Sequence, residues 1–309
     1  MRKKSLDCVY ELSKINENVI YIGSDLGAGT LDSMKESYPK RFFMEGISEQ
    51  HIIGMAAGLA LEGYLPYVNT IGTFLTRRCY EQLVLDLCLQ KLPVTLIGNG
   101  GGVVYAPLGP THLSVEDIAI LRTLPNMSII SPSDANEMEH LMMQTIDIKG
   151  PLYVRLGKGG DKVISDKISN FKIGKGIIYN EPGEVTILST GVMTQIALDV
   201  AQLLNKDNIN CGVIHFHTLK PLDKDLIRSI QNKSKLYVAI EEHFLNGGFS
   251  SNILELCNDD EINLGKIERI GIPDEFAKYY GSQNSLLDKW NIEKNKIYLR
   301  IKSLLQNVR

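Results

Sequence analysis

No apolar run in this sequence approaches the roughly 20 residues that span a bilayer, so no segment reads as a membrane helix. The opening MRKKSLDCVYELSKINENVIYIG starts basic, then alternates charged and apolar residues. It therefore lacks the continuous apolar centre of a secretory signal. Lys and Arg are scattered and the formal net charge is −3. With no basic stripe to neutralise phosphates, nucleic acid is excluded as an expected partner. The five cysteines, Cys8, Cys79, Cys88, Cys211 and Cys257, are odd in number and contain no C-x-x-C pair. Most sit in apolar segments, so reduced core thiols in a cytoplasmic protein are expected. "GSDLGAG" after Val19–Gly23 lacks the G-x-G-x-x-G order, which argues against a dinucleotide-binding oxidoreductase.

What is present is a chain of 309 residues, 44% hydrophobic and 22% charged, long enough for two globular domains. From the N-terminus to Arg155, helical and strand-like patterns alternate. Ser5–Lys14 has helical spacing and Val19–Gly23 is a short apolar strand. Ser48 stands before a helix running from Glu49 to Glu62, followed by a strand at Leu65–Thr70, a helix at Thr76–Lys91 and a buried strand at Val94–Gly98. Glu116–Leu124 is helical, Ser128–Ser131 strand-like, and Ser133 with Asp134 opens a helix to about Ile146. Such alternation predicts a doubly wound α/β domain with a mostly parallel sheet. Between Gly157 and Gly183 periodicity fades, as in a linker or short hairpin. Strand-like segments at Val185–Leu188, Ile209–His215, Leu236–Ile240 and Ile267–Ile270 then alternate with helices such as Thr194–Leu204 and Asp223–Ser229. The expected organisation is a domain at 1–160, a linker at 161–182 and a second doubly wound α/β domain at 183–309.

The segment Phe42-Phe43-Met44-Glu45-Gly46-Ile47-Ser48-Glu49-Gln50-His51 leads into a helix carrying Gly54, Ala56, Ala57, Gly58 and Ala60. Small residues at that spacing let another helix or backbone approach closely, and Glu49 would sit in the first turn beside that contact. Burial would raise its pKa and the helix N-terminus would lower it. Taken singly, Glu49 reads as a first-turn acid, Phe74 as core and His112 as a loop residue.

The ordered blocks "EGISEQHIIGMAAGLALEG", "GTFLTRRCYEQLVLDLCLQKLPV", "LGPTH", "LRTLPNMSIISPSDANE" and "LYVRLG" change that reading. Together they resemble the second half of the transketolase family and of 1-deoxy-D-xylulose 5-phosphate synthase, where a G-I-x-E-Q motif opens the cofactor helix. The resemblance is strong from Val19 to Arg155 and continues through "AIEEHFLNGGFSSNILE". It implies a pyrimidine-binding domain, a transketolase C-terminal-like domain and thiamine diphosphate as cofactor. That cofactor needs a proton-sharing partner at ring nitrogen N1′ before its own amino group can take the C2 proton. The resemblance gives that role to Glu49. It makes Phe74 the aromatic on which the aminopyrimidine stacks, and His112 the histidine meeting substrate oxygen. Arg155 becomes a substrate-phosphate arginine and Arg77 a second candidate, each with a surface ion-pair alternative. Asp25 and Leu26 match a segment near the cofactor.

Departures matter equally. Transketolases carry an aspartate before Gly-Pro-Thr-His, where this chain has Leu108, which cannot accept a sugar hydroxyl. A substrate that is deoxygenated or apolar at that point is expected. The run Asn99-Gly100-Gly101-Gly102 replaces a phosphate-binding histidine. The family's Gly-Asp-Gly metal motif is missing from all 309 residues. Without Mg²⁺ the diphosphate would be under-neutralised, so the resemblance implies a partner subunit carrying the diphosphate domain and the metal, in an α₂β₂ enzyme. The implied function is the C-terminal subunit of a split transketolase-type transferase that moves a two-carbon ketol unit from a small sugar or oxo-acid substrate to an aldehyde. The alternatives are the β subunit of a 2-oxo-acid dehydrogenase first component and a catalytically silent interaction subunit.

Overall fold

The computed structural model describes residues 1–24, 31–157 and 160–307. Asp25 and Leu26 lie outside the described residues. The chain divides into two compact units. The first comprises Met1–Gly101 and Ile120–Ile173, and the second Gly102–Ala119 and Gly174–Arg309. Residues 102–119, inside the segment expected to form the first domain, thus cluster with the second unit.

In the first unit, α1 (Arg2–Ile15) leads into β1 (Val19–Gly23), then α2 (Asp32–Ser37) and β2 (Phe42–Met44). Next come α3 (Glu49–Leu61), β3 (Leu65–Ile71), α4 (Gly72–Arg77), α5 (Tyr80–Gln82) and β4 (Thr95–Asn99). After α6 (Asp117–Arg122), of which only Ile120, Leu121 and Arg122 belong to this unit, follow β5 (Ser128–Ile130), α7 (Ala135–Gln144) and β6 (Leu152–Leu156). The strands lie in the order β5-β6-β4-β3-β1-β2, and every pair in that row is parallel. Strands buried on both faces need continuous apolar sequence. Accordingly β1, β4 and β6 are buried along their whole length.

Two departures from the sequence expectation fall here. The single helix expected over Thr76–Lys91 is broken: α4 stops at Arg77, and after α5 the chain winds into a π-helical turn at Leu83–Cys88. The apolar periodicity survives because a wider turn still returns Leu83, Leu87 and Cys88 to the interior. The short edge strand β2 was hidden, since three residues give no alternation to detect; it pairs Tyr21 with Phe42 in register, and their rings stack at 5.1 Å.

The second unit carries β7 (Ile177–Asn180), β8 (Val185–Ser189), α8 (Met193–Lys206), β9 (Cys211–His215), β10 (Thr218–Lys220) and α9 (Lys224–Ser229). It continues with β11 (Leu236–Phe244), α10 (Phe249–Asp259), β12 (Ile267–Ile272), α11 (Gln283–Lys289) and α12 (Lys294–Asn307). One sheet runs β12-β11-β8-β9-β7, parallel apart from the antiparallel edge strand β7. That edge strand lies inside the expected linker. Its half-exposed pattern explains why residue character alone did not mark it. The core packs Val103, Ala106, Leu113 and Val115 from the inserted segment with Ile187, Val200, Val238 and Ile297.

Candidate functional site

Parallel α/β sheets present ligand-binding groups where the chain leaves the carboxyl ends of the strands. In the first unit, Glu49 follows β2, Phe74 follows β3, the glycine run follows β4 and Arg155 lies near the end of β6. A buried polar layer braces these exits. The Asn99 Nδ2 donates to Asn69 Oδ1 at 2.7 Å and to the Thr70 carbonyl at 2.9 Å. The Asn69 Nδ2 donates to the Tyr21 hydroxyl at 3.0 Å, and the Ser24 hydroxyl to Thr70 Oγ1 at 2.9 Å. Buried amides and hydroxyls cost stability unless paired, so this layer holds β1, β3 and β4 in one relative position.

Glu49 is the first residue of α3 and only 3% exposed. Ser48 occupies the capping position, but its hydroxyl donates instead to the Glu45 carbonyl at 2.7 Å. The Glu49 charge at the first turn interacts favourably with the helix dipole. Among the described residues its carboxylate is met by Arg78, whose Nη1 donates to Oε2 at 2.9 Å. The same guanidinium lies 3.9 Å above the ring centre of half-buried Phe74. Glu49 and Phe74 are thus brought together through Arg78. Arg77, the arginine singled out from sequence, is exposed and is not the one on Glu49. The signal that could have found Arg78 is its place four residues after Phe74, since such pairs face each other on a helical course.

Next to this acid, burial and then the Glu49 charge push the Cys79 thiol up to about 12. The close approach expected along α3 is not made at two of its glycines by the described residues: a side chain at Gly54 or Gly58 would meet nothing within 4 Å, although Ala56 and Ala57 are buried.

Arg155 is 5% exposed, which removes the surface ion-pair alternative. Its stem crosses Gly101 so closely that a Cβ there would lie 2.7 Å from Arg155 Cγ. In the second unit, Gly102 has φ +78°, and a Cβ on it would meet Glu242 Cδ at 2.4 Å. The glycine run is therefore demanded by close packing and a left-handed backbone.

Leu108 and His112 belong to the inserted segment of the second unit. Leu108 is 49% exposed, and His112 is half-buried with Nδ1 2.9 Å from the Thr111 hydroxyl. The segment is anchored by the buried Glu242, which accepts from the Val103 amide at 2.7 Å and from Gln283 Nε2 at 2.9 and 3.0 Å. Neighbouring Glu241 receives the Phe249 and Ser250 amides at the start of α10, at 2.6 and 3.0 Å. These structural tasks of the "EEH" stretch went unread in the sequence.

The geometry fits an aminopyrimidine: a buried carboxylate at a strand exit, with an aromatic face that already accepts a flat nitrogen-bearing cation. Among the described residues no three His, Cys, Asp or Glu side chains group as a metal site. Fold and site define a pair of α/β domains of the kind that builds thiamine-diphosphate enzymes. Residues 1–160 match the transketolase pyrimidine-binding domain and residues 174–297 the transketolase C-terminal domain. The chain belongs to the transketolase family. It is 38% identical over 290 residues to the 1-deoxy-D-xylulose-5-phosphate synthase of Caldanaerobacter subterraneus subsp. tengcongensis, covering 93% of this chain and 46% of that protein. It is 36% identical over 303 residues to 1-deoxy-D-xylulose-5-phosphate synthase 1 of Geobacter metallireducens, covering 97% and 48%. The chain thus spans about half the length of the curated relatives it matches. A solved structure described as a split gene transketolase, inactive β₄ tetramer, superposes with a TM-score of 0.88 at 29% identity, covering 100% of this chain and 98% of that one. Both families use thiamine diphosphate with a divalent metal. No helix among the described residues is long and apolar enough to cross a membrane.

Proposed function

We propose that this chain is the pyrimidine-binding and C-terminal subunit of a split, thiamine-diphosphate-dependent transketolase-type transferase. The observation that carries this reading is the buried Glu49 carboxylate beside the Phe74 ring, at the carboxyl edge of a parallel sheet. Bound thiamine diphosphate would supply the carbon nucleophile that accepts a two-carbon ketol unit from a small sugar or oxo-acid donor and passes it to an aldehyde. Glu49 shares a proton at the pyrimidine N1′, and its burial excludes the water that would otherwise compete for that hydrogen bond. Phe74 offers the flat face that orients the ring. His112 meets a substrate oxygen, and Arg155 faces substrate phosphate with its guanidinium fork. Asp25 and Leu26 stay assigned to the cofactor's neighbourhood.

A partner subunit brings the diphosphate-binding domain and Mg²⁺, giving an α₂β₂ assembly. The likeness to a split gene transketolase supports that arrangement. The test is reconstitution with that partner. Glu49→Gln is expected to lower turnover by roughly 10²- to 10⁴-fold, about 3–5 kcal/mol of barrier, with folding unchanged by circular dichroism. Wild-type chain tested alone is expected to be inactive. An unaffected rate in the Glu49 variant would favour a silent interaction subunit, and turnover by the chain alone would remove the partner.

A further inference from the structure

A carboxylate that is 3% exposed cannot stand alone, because an unpaired buried charge is strongly destabilising. Before cofactor arrives, something must neutralise Glu49, and the structure assigns that duty to one side chain. Resting on the function just proposed, we infer that Arg78 is a resident stand-in for the aminopyrimidine, held on Glu49 and Phe74 until the cofactor displaces it.

Three observations carry this. The guanidinium is flat and rich in N–H donors, and it uses the two groups that the ring would need: Glu49 Oε2 at 2.9 Å and the Phe74 face at 3.9 Å from the ring centre. A stacked plane with a nitrogen aimed at the acid is what the pyrimidine also offers, so the two compete for one carboxylate oxygen and one aromatic face. Second, the Arg78 side chain is 42% exposed, so it can leave into solvent without unpacking the core. Third, its backbone is held independently: Gln50 Nε2, in the first turn of α3, donates to the Arg78 carbonyl at 2.8 Å. The side chain can swing while its attachment stays fixed. Arg78 thus gives the buried carboxylate a partner while the site is empty, and its departure leaves Glu49 Oε2 and the Phe74 face to the cofactor.

The experiment compares wild type with Arg78→Met and Arg78→Lys in two settings. In the full chain without cofactor, thermal unfolding at neutral pH reads what the guanidinium contributes to the empty site: Arg78→Met is expected to lower the Tm, and Arg78→Lys, which keeps charge but not the plane, to lower it by less. In the assembled enzyme, calorimetric titration with thiamine diphosphate and Mg²⁺ is expected to show roughly tenfold tighter binding for Arg78→Met, because the competing occupant is gone. An unchanged Tm of the cofactor-free chain, or binding that is unchanged or weaker in Arg78→Met, overturns the stand-in. Glu49→Gln is the control: if it binds cofactor as wild type does, the proposed function itself fails. If it binds more weakly while Arg78→Met does not tighten, only the stand-in fails.

Discussion

Leu108 shows how one side chain bears on substrate choice. It is half exposed on the inserted segment of the second unit, and the leucine side chain can accept no hydrogen bond. We propose that it meets a part of the substrate without a hydroxyl. Leu108→Asp should then shift the kcat/KM ratio of hydroxylated over deoxygenated acceptors upward by roughly 10-fold or more, the scale set by one hydrogen bond to a charged group. An unchanged ratio in steady-state assays of the reconstituted enzyme would sink that assignment. Arg77 and Arg78 teach the complementary lesson. Both were visible as basic residues, but only the helix break after Arg77 decided which one returns to Glu49.

At the scale of elements, one aspartate does two tasks at the start of α7. Asp134 is fully buried, and its Oδ1 caps the helix by accepting the Glu137 amide at 2.9 Å. Its Oδ2 accepts the Ile164 and Ser165 amides at 2.7 and 2.8 Å, and the Ser165 hydroxyl donates to Oδ1 at 2.8 Å. One carboxylate therefore starts a helix and pins Ile164 and Ser165 against it. Asp134→Ala should lose the cap and leave buried amides unpaired, for about 2–4 kcal/mol of lost stability. Urea unfolding monitored by circular dichroism checks this, and Asp134→Asn, which can still cap, should lose less. The capping signal of Ser133 and Asp134 was legible because caps are local. The second half of the task was not, because Ser165 lies 31 residues away.

For the whole molecule, buried thiols set an alkaline limit. Burial pushes Cys8, Cys79 and Cys211 from 9.0 up to about 12, and Tyr21 and Tyr67 from 10.0 up to about 12. With folded pKa values above the unfolded ones, the unfolded chain sheds protons first as pH rises. The neutral-thiol contribution is therefore complete below about pH 9 and lost as pH climbs towards 12, at roughly 1.4 kcal/mol per unit for each thiol. Thermal melts from pH 8 to 11 should show a flat Tm followed by a steep fall. Cys211→Ala, which removes a thiol raised by burial alone, should soften that fall.

Local rules carried much of this protein into its sequence. Apolar runs bounded by glycine and helical spacing marked most strands and helices of both units, since burial on two sheet faces demands unbroken hydrophobic stretches. The ordered motif blocks marked Glu49, Phe74 and His112 as residues to examine. Tertiary structure alone decided that residues 102–119 cluster with the second unit, that Glu242 holds that segment by the Val103 amide, and that Arg78 lies on both Glu49 and Phe74. The hydrogen bonds among these join groups far apart in the chain, Val103 to Glu242 across 139 residues and Arg78 to Glu49 across 29. Periodicity reports which face of an element is buried, but not which distant partner it is buried against.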